Sequence, residues 1–199
     1  SWRIVRRIDQ QFRTADRYGG VQLSDLLTML DPMIIDLAAF IGMTMEGMTR
    51  THTWRFLDLG RRLERALQVI SLVRSALTQA GEFSSPVLEA LLEVNDSLMT
   101  YRARYLANLQ LGAVIDLLLT DDTNPRSLAY QLVALAEHVD RLPRAESQPL
   151  LSLEQRLAMS LLLEIRQVDA PMLAKLHTEA RSLPLTQLLE HLEETLPKL

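Results

Sequence analysis

The sequence contains no cysteine, and its 199 residues include only seven glycines. Without cysteine there is no disulfide framework, no thiol nucleophile and no cysteine-bound zinc. That fits a reducing compartment, and a cytoplasmic location is the expectation. No glycine-rich phosphate loop is written, so ATP is not bound by a P-loop, and no nucleophile elbow marks a hydrolase serine. The four histidines, His52, His138, His177 and His191, never take a His-x-x-x-His spacing, and no Glu-x-x-His occurs. The di-metal signature of ferritin-like helical bundles is therefore missing, and neither a metal nor a cofactor is expected. Reading for an uninterrupted run of about 18 apolar residues finds none, so no membrane span is expected, and no signal peptide is visible. A formal net charge of −4 gives no pull toward nucleic acid or acidic membranes. No strand-like alternation of apolar and polar residues survives inspection.

Helix formers fill the space these absences leave. Leu, Ala, Met, Gln, Glu and Arg dominate, with 48% hydrophobic and 23% charged residues overall, a balance ordinary for a globular protein. The expectation is an all-α fold: seven or more helices bundled around one long central helix, residues 1–199 forming a single helical domain. Only 143–149 looks like a connection, a short one leading to C-terminal helices. The chain opens Ser1-Trp2-Arg3 without a methionine, so a piece of a longer protein is expected.

The central helix is predicted over Thr51 to Ala80, roughly 45 Å at about 1.5 Å per residue. Leu59, Leu63, Ala66, Leu67, Ile70, Val73 and Leu77 share one apolar arc with Phe56. A second stripe carries Trp54, Arg61, Arg65, Gln68 and Leu72. Upstream, a helix from Trp2 to about Tyr18 should end at Gly19-Gly20. Ser24 should cap a short helix to Leu30, and Pro32 should open a separate one to about Arg50. Downstream, Pro86 opens a helix running into Thr100 to Tyr105, where Tyr101 and Tyr105 alternate with Arg102 and Arg104. Gly112 interrupts before an apolar helix from Val114 to Leu119. Asn124 and Pro125 read as N-cap and first position of a helix to about Leu142. Ser152 and Gln155 write a capping box, and Asp169 and Pro184 begin the last two helices. Asp121-Asp122 reads as turn chemistry more readily than as a metal site.

Arginine carries the functional signal. Arg61, Arg65, Arg102, Arg104 and Arg126 all lie in stretches that otherwise read as buried or half-buried. Glu64, on the edge of the apolar arc, is expected to be mostly buried and paired with an arginine of another helix. A carboxylate so placed needs a partner or a raised pKa. One reading is an internal Arg–Glu network fastening the bundle. The other is an anion pocket, because guanidinium forks bind carboxylate and phosphate bidentately.

Three segments in order, Met48 to Ala66 (MTRTHTWRFLDLGRRLERA), MTYRARYLANLQ and LLLTDDTNPRSLAYQL, resemble the bacterial alpha-E family, helical proteins named for a Glu-Arg motif. Here the motif is Glu64-Arg65. The likeness covers most of the chain to about Leu142 and weakens beyond. Members of that family begin with an earlier helix bearing a similar motif, so the resemblance implies the C-terminal part of such a protein. It also implies a partnership with a circularly permuted ATP-grasp protein or domain, in amide ligation or peptide modification. Two functions follow. In one, the chain is a helical accessory domain that binds its partner or an anionic peptide ligand through the arginine cluster. In the other, it is an enzyme in which Glu64 is general acid or base and the arginines hold a carboxylate or phosphate substrate.

Overall fold

The structure, a computed structural model, describes residues 2–16, 23–80, 84–105, 108–143, 151–178 and 183–199. Among them there are ten α-helices and no strand, as composition and periodicity predict. The chain divides into two compact units, Ser1–Trp54 and Arg55–Leu199.

The first unit holds α1 (Trp2–Asp16) and α2 (Leu23–Gly47). They are joined chemically by Arg7, whose Nε donates to Asp36 Oδ2 at 2.6 Å while Nη2 meets the other carboxylate oxygen. A fork of this kind neutralises a carboxylate that is only 4% exposed. The break predicted at Asp31-Pro32 does not occur, because α2 passes through Pro32 without interruption. A proline inside a helix costs about 3 kcal/mol or more. Here the pattern continues in phase across it: half-buried Leu26 and Met29 before it and buried Met33, Asp36 and Thr44 after it fall on one stripe at helical spacing. The opposite side is apolar and open, with Ile34 62% and Ile35 68% exposed. The merger also corrects the reading for apolar runs. Ser24–Gly47 contains a window of mean hydropathy 1.7, long and apolar enough to cross a membrane by length and composition alone. The Gly19-Gly20 helix end lies outside the described residues.

In the second unit, α3 (His52–Ala80, its first turn counted with the first unit) matches the predicted long helix to within a residue. It is followed by α4 (Ser85–Val94), α5 (Leu98–Tyr105) and α6 (Leu111–Ile115). A π turn over Asp116–Thr120 continues α6, closed by the Asp121 N–H on the Asp116 carbonyl at 2.9 Å. Then come α7 (Leu128–Asp140), α8 (Leu153–Arg166), α9 (Ala170–Thr178), α10 (Leu183–Thr195) and a 3₁₀ turn over Leu196–Lys198. The interruption expected at Gly112 falls just before it, since α5 ends at Tyr105 and α6 opens at Leu111. A Cβ at Gly112 would sit in ordinary contact, 3.5 Å from both Ala174 Cβ and Pro171 Cα of α9. The predicted 143–149 connection lies, beyond Pro143, outside the described residues.

The deepest part of the core is the run Val114, Ile115, Leu117, Leu118 and Leu119, each at most 2% exposed, continued by Leu128, Leu132 and Leu135 of α7. The long helix α3 contributes Ala66, Val69, Ile70 and Val73 to this cluster from one side only. Its other side, Phe56, Gly60, Glu64, Gln68, Ser71 and Ser75, is exposed.

Candidate functional site

The site is built from three segments. On α3, Asp58 is 2% exposed and collects Arg62 Nε at 3.1 Å, His138 Nε2 at 2.8 Å and, more loosely, Arg61 Nη1 at 3.5 Å. The two arginines stand three and four residues on from Asp58, the spacing that puts side chains on one helix face. Burial raises the Asp58 pKa, but the His138 hydrogen bond and Arg62 outweigh it and hold the carboxyl below its ordinary range. Since an ionised carboxylate only accepts, His138 Nε2 carries the proton between them. Arg62 also donates to Gln131 Oε1 at 3.3 Å and stacks over Tyr130 at 5.4 Å. Gln131, with no exposed surface, donates in turn to the Pro125 carbonyl at 2.6 Å.

That last bond leads to Arg126. Its N–H donates to Asn124 Oδ1 at 3.1 Å, so both the carbonyl and the N–H of the Pro125–Arg126 peptide group are held. The Asn124 hydrogen bond is the one expected of a cap, yet no helix opens at Pro125. Asn124 makes an Asx-type turn, and the cap is Ser127, whose Oγ accepts from Tyr130 N–H at 3.0 Å. Asn124 is instead a buried tie: its Nδ2 donates to Leu117 O at 2.9 Å and to Ser97 Oγ at 3.2 Å. Ser97 Oγ donates to Asn95 O at 3.0 Å. Thus the α4–α5 turn, Asn95-Asp96-Ser97, is bolted to the turn bearing Arg126. Asp96 adopts a left-handed φ of 49°, tolerated best by Gly, Asn and Asp.

Between these segments and α3 lies a small cleft of about 60 Å³, lined by Arg65, Gln68, Val69, Val94, Asn95 and Arg126. Arg126 Nη2 pairs with Asp96 Oδ2 at 2.7 Å. Arg65 is half-buried and, among the described residues, has neither a hydrogen bond nor a carboxylate partner. Burial first, then the positive fields of Arg126, Arg61 and Arg62, push its pKa down, with Asp58 acting weakly the other way. A guanidinium does not give up its proton in proteins, so Arg65 remains a cation held among cations.

The sequence-predicted residues thus separate. Arg61, Arg65 and Arg126 share one electrostatic neighbourhood. Arg102 is engaged elsewhere with Glu89 at 2.7 Å, and Arg104 with Asp121 and with Thr123 Oγ1 at 3.0 Å. Asp121 also accepts the Thr123 N–H at 2.9 Å, which is the turn chemistry expected of the acidic pair. Glu64 is exposed, not buried, and no arginine is bonded to it among the described residues. The reason is geometric: its neighbours four residues either way, Gly60 and Gln68, are on the open side of α3. Arg65, rotated by about 100° from Glu64 on the wheel, reaches the rim of the core instead. Asp58, His138, Gln131 and Asn95 were missed by sequence reading. Only the Asp58–Arg61–Arg62 spacing gave a local signal for any of them.

A family model described as "a predicted alpha-helical domain with a conserved ER motif" matches residues 1–199. The chain belongs to the Alpha-E family. Its one Glu-Arg step is Glu64-Arg65, so in this Alpha-E chain the motif presents a carboxylate to solvent and a guanidinium to the cleft. Uncharacterized proteins of Mycobacterium bovis and Mycobacterium tuberculosis are 34% identical over 104 residues, 51% of this chain. That stretch is 12% of the length of those relatives. No solved structure matches the chain.

Proposed function

We propose that this Alpha-E chain is a helical binding domain that takes an anionic group at Arg65 and Arg126. We place it, as the family resemblance implies, with a circularly permuted ATP-grasp protein in amide ligation or peptide modification. One observation carries the anion reading: among the described residues Arg65 has neither a hydrogen bond nor an ion pair, while burial first, and then the fields of Arg126, Arg61 and Arg62, push its pKa down against a weaker pull from Asp58. Like charges repel, so folding alone gives no reason to leave this one uncompensated. An anion from outside supplies the missing charge through charge-assisted bonds. The clamped Arg126 backbone supports the same reading, because a preset donor loses less freedom on binding. A general acid or base role for Glu64 has less behind it, since Glu64 is exposed and does not line the cleft.

The test is thermal unfolding with sulfate, phosphate and acidic peptides at matched ionic strength. A ligand at 100 times its Kd stabilises by about 2.7 kcal/mol. A rise in Tm for wild type that vanishes in Arg65→Gln is expected, and no rise with any anion overturns the reading. The partnership is tested separately, by titrating this chain with the ATP-grasp protein in a calorimeter. Heats no larger than dilution remove it.

A further inference from the structure

We infer that the open face of α2 is a docking surface for a basic amphipathic helix of another protein, one that sets a Lys or Arg on Asp31 from within an apolar stripe. This face belongs to the first unit and uses none of the residues of the anion cleft.

Apolar exposure comes first. Of the fifteen large hydrophobic side chains exposed among the described residues, six are on α2: Leu27, Leu30, Ile34, Ile35, Leu37 and Met43. Such residues mean little when scattered singly, whereas a contiguous patch marks an interaction site. Leu27, Leu30, Ile34 and Leu37 stand three, four and three residues apart, the a/d seam of a heptad. Half-buried Ile41 continues the seam four residues on. From Leu27 to Ile41 the row is about 21 Å long at about 1.5 Å per residue. A row with that repeat takes the side-chain knobs of a second helix. The buried stripe of Met33, Asp36 and Thr44, where Arg7 of α1 binds, is a different one.

Charge says what kind of helix fits. α2 carries Asp25, Asp31, Asp36 and Glu46 and no Lys, Arg or His. Asp36 is held by Arg7, while Asp31 has neither a hydrogen bond nor an ion pair among the described residues. The neighbours of Asp31 on the helix surface, three and four residues either way, are Leu27, Thr28, Ile34 and Ile35, all exposed. A helix seated on Leu27, Ile34 and Ile35 therefore covers Asp31 as well. Withdrawing a carboxylate from water without a counter-charge is costly, so the covering surface has to bring a cation to it.

Two other occupants fail that requirement. Lipid tails bring no cation, although α2 is long and apolar enough to enter a membrane. A second copy of α2 brings another acidic helix with no basic residue, which adds carboxylates to the seam and neutralises none.

The experiment uses the full 199-residue chain and two fluorescently labelled peptides of three heptads. Both have Leu at a and d, with Ala and Gln at b, c and f. One has Arg at every e and g and the other Glu, so like charges keep each from pairing with itself. Fluorescence anisotropy reads Kd. The Arg peptide is expected to bind wild type about tenfold more tightly than the Glu peptide, or better still. The net charge of −4 favours the Arg peptide everywhere on the chain, so the deciding variant is Asp31→Lys. This change is at an exposed position and should invert the preference, the Glu peptide now binding more tightly. Ile34→Ser, checked for folding by its circular-dichroism melt, should weaken the Arg peptide about tenfold. Equal binding of the two peptides to wild type, or a preference unchanged in Asp31→Lys, overturns the inference. Failure of both peptides to bind overturns it as well. Flotation on phosphatidylcholine vesicles would then give the face to lipid, and self-association in sedimentation that Ile34→Ser abolishes would give it to a second copy.

Discussion

His138 Nε2 lies 2.8 Å from Asp58 Oδ2, a hydrogen bond between residues 80 apart in sequence that ties α7 to α3. Both side chains are almost fully buried. Asp58 is also the shared acceptor for Arg61 and Arg62, so the one buried carboxylate of this stretch of α3 is committed to them and acts only weakly on Arg65.

Removing that carboxylate leaves buried donors and at least one buried charge uncompensated. Breaking one partner of a buried pair costs about 3–5 kcal/mol, a large share of a typical domain's stability. Asp58→Ala is therefore expected to lose about that much in urea unfolding. Glu89→Ala breaks an exposed pair with Arg102 and should lose less than about 1 kcal/mol. Equal effects of the two substitutions would contradict the placement of Asp58 in the core.

The same residue sets part of the acid response. Its folded pKa lies below the ordinary 3.8, so between the folded and unfolded values the unfolded chain binds more protons. Stability then rises with pH through that window. The contribution is whole above about pH 4 and is lost as pH falls below it toward the folded pKa. Asp58→Asn should flatten the midpoint-versus-pH curve below about pH 4. Some slope should remain, because Asp121 is also held low: burial raises it, but the bonds from Thr123 and Arg104 prevail. An unchanged slope in Asp58→Asn would show that Asp58 titrates alike in the folded and unfolded chain.

Asn124 and Ser127 divide roles that sequence reading gave to Asn124 alone. Ser127→Ala removes a helix cap, which costs about 1 kcal/mol. Asn124→Ala removes three hydrogen bonds, two of them buried ties to Ser97 and Leu117. Leaving such groups unsatisfied costs about 1–3 kcal/mol each, so Asn124→Ala is expected to be the more damaging of the pair. Denaturant midpoints of the two variants decide it, and the reverse order would return the cap to Asn124.

The legible parts of this chain are those governed by neighbours in sequence. The limits of α3, the capping box of Ser152 and Gln155 with both its bonds present, and the Asp169 cap on Met172 N–H at 2.9 Å are all local. Pro32 misled because a proline's local penalty is known, while the packing that outweighs it is not visible in sequence. Glu64 misled because α3 is apolar on more than one side, and a helical wheel does not say which side meets the core. The partners of Arg102, Arg104 and Arg126 lie 13, 17 and 30 residues away. No periodicity encodes pairings of that kind. Asn95, on the wall of the cleft, sits in a turn tied through Ser97 to Asn124, 27 residues further on.

Gly60 offers a test of whether the open side of α3 has a use beyond folding. A Cβ there meets nothing within 4 Å, and glycine inside an exposed helix is less favourable than alanine by about 0.8–1.0 kcal/mol. Gly60→Ala should raise the isolated chain's stability by about that amount in chemical denaturation. A loss instead would mean that Gly60 is needed by the fold in a way its surroundings do not show.

Asp96 is the internal rival of the anion at the cleft. Its carboxylate holds Arg126 at 2.7 Å, yet Arg126 is 44% and Asp96 75% exposed at the side chain, so the pair itself contributes about 0–1 kcal/mol. Asp96→Asn keeps a residue suited to the left-handed φ of 49° and removes only the charge. Folding stability should therefore change by less than about 1 kcal/mol. With Arg126 released beside Arg65, an added anion meets two uncompensated guanidinium groups instead of one. Its Kd should fall by about tenfold, which corresponds to about 1.4 kcal/mol, and the salt dependence of binding should steepen. Asp96→Ala, by contrast, should lose stability through the left-handed backbone that alanine adopts poorly, which separates the conformational role from the electrostatic one. Calorimetry of sulfate and phosphate against wild type and Asp96→Asn, repeated at two ionic strengths, reads the effect directly. An affinity that does not move would show that Asp96 and the ligand do not compete for Arg126, and would leave Arg65 as the sole anchor.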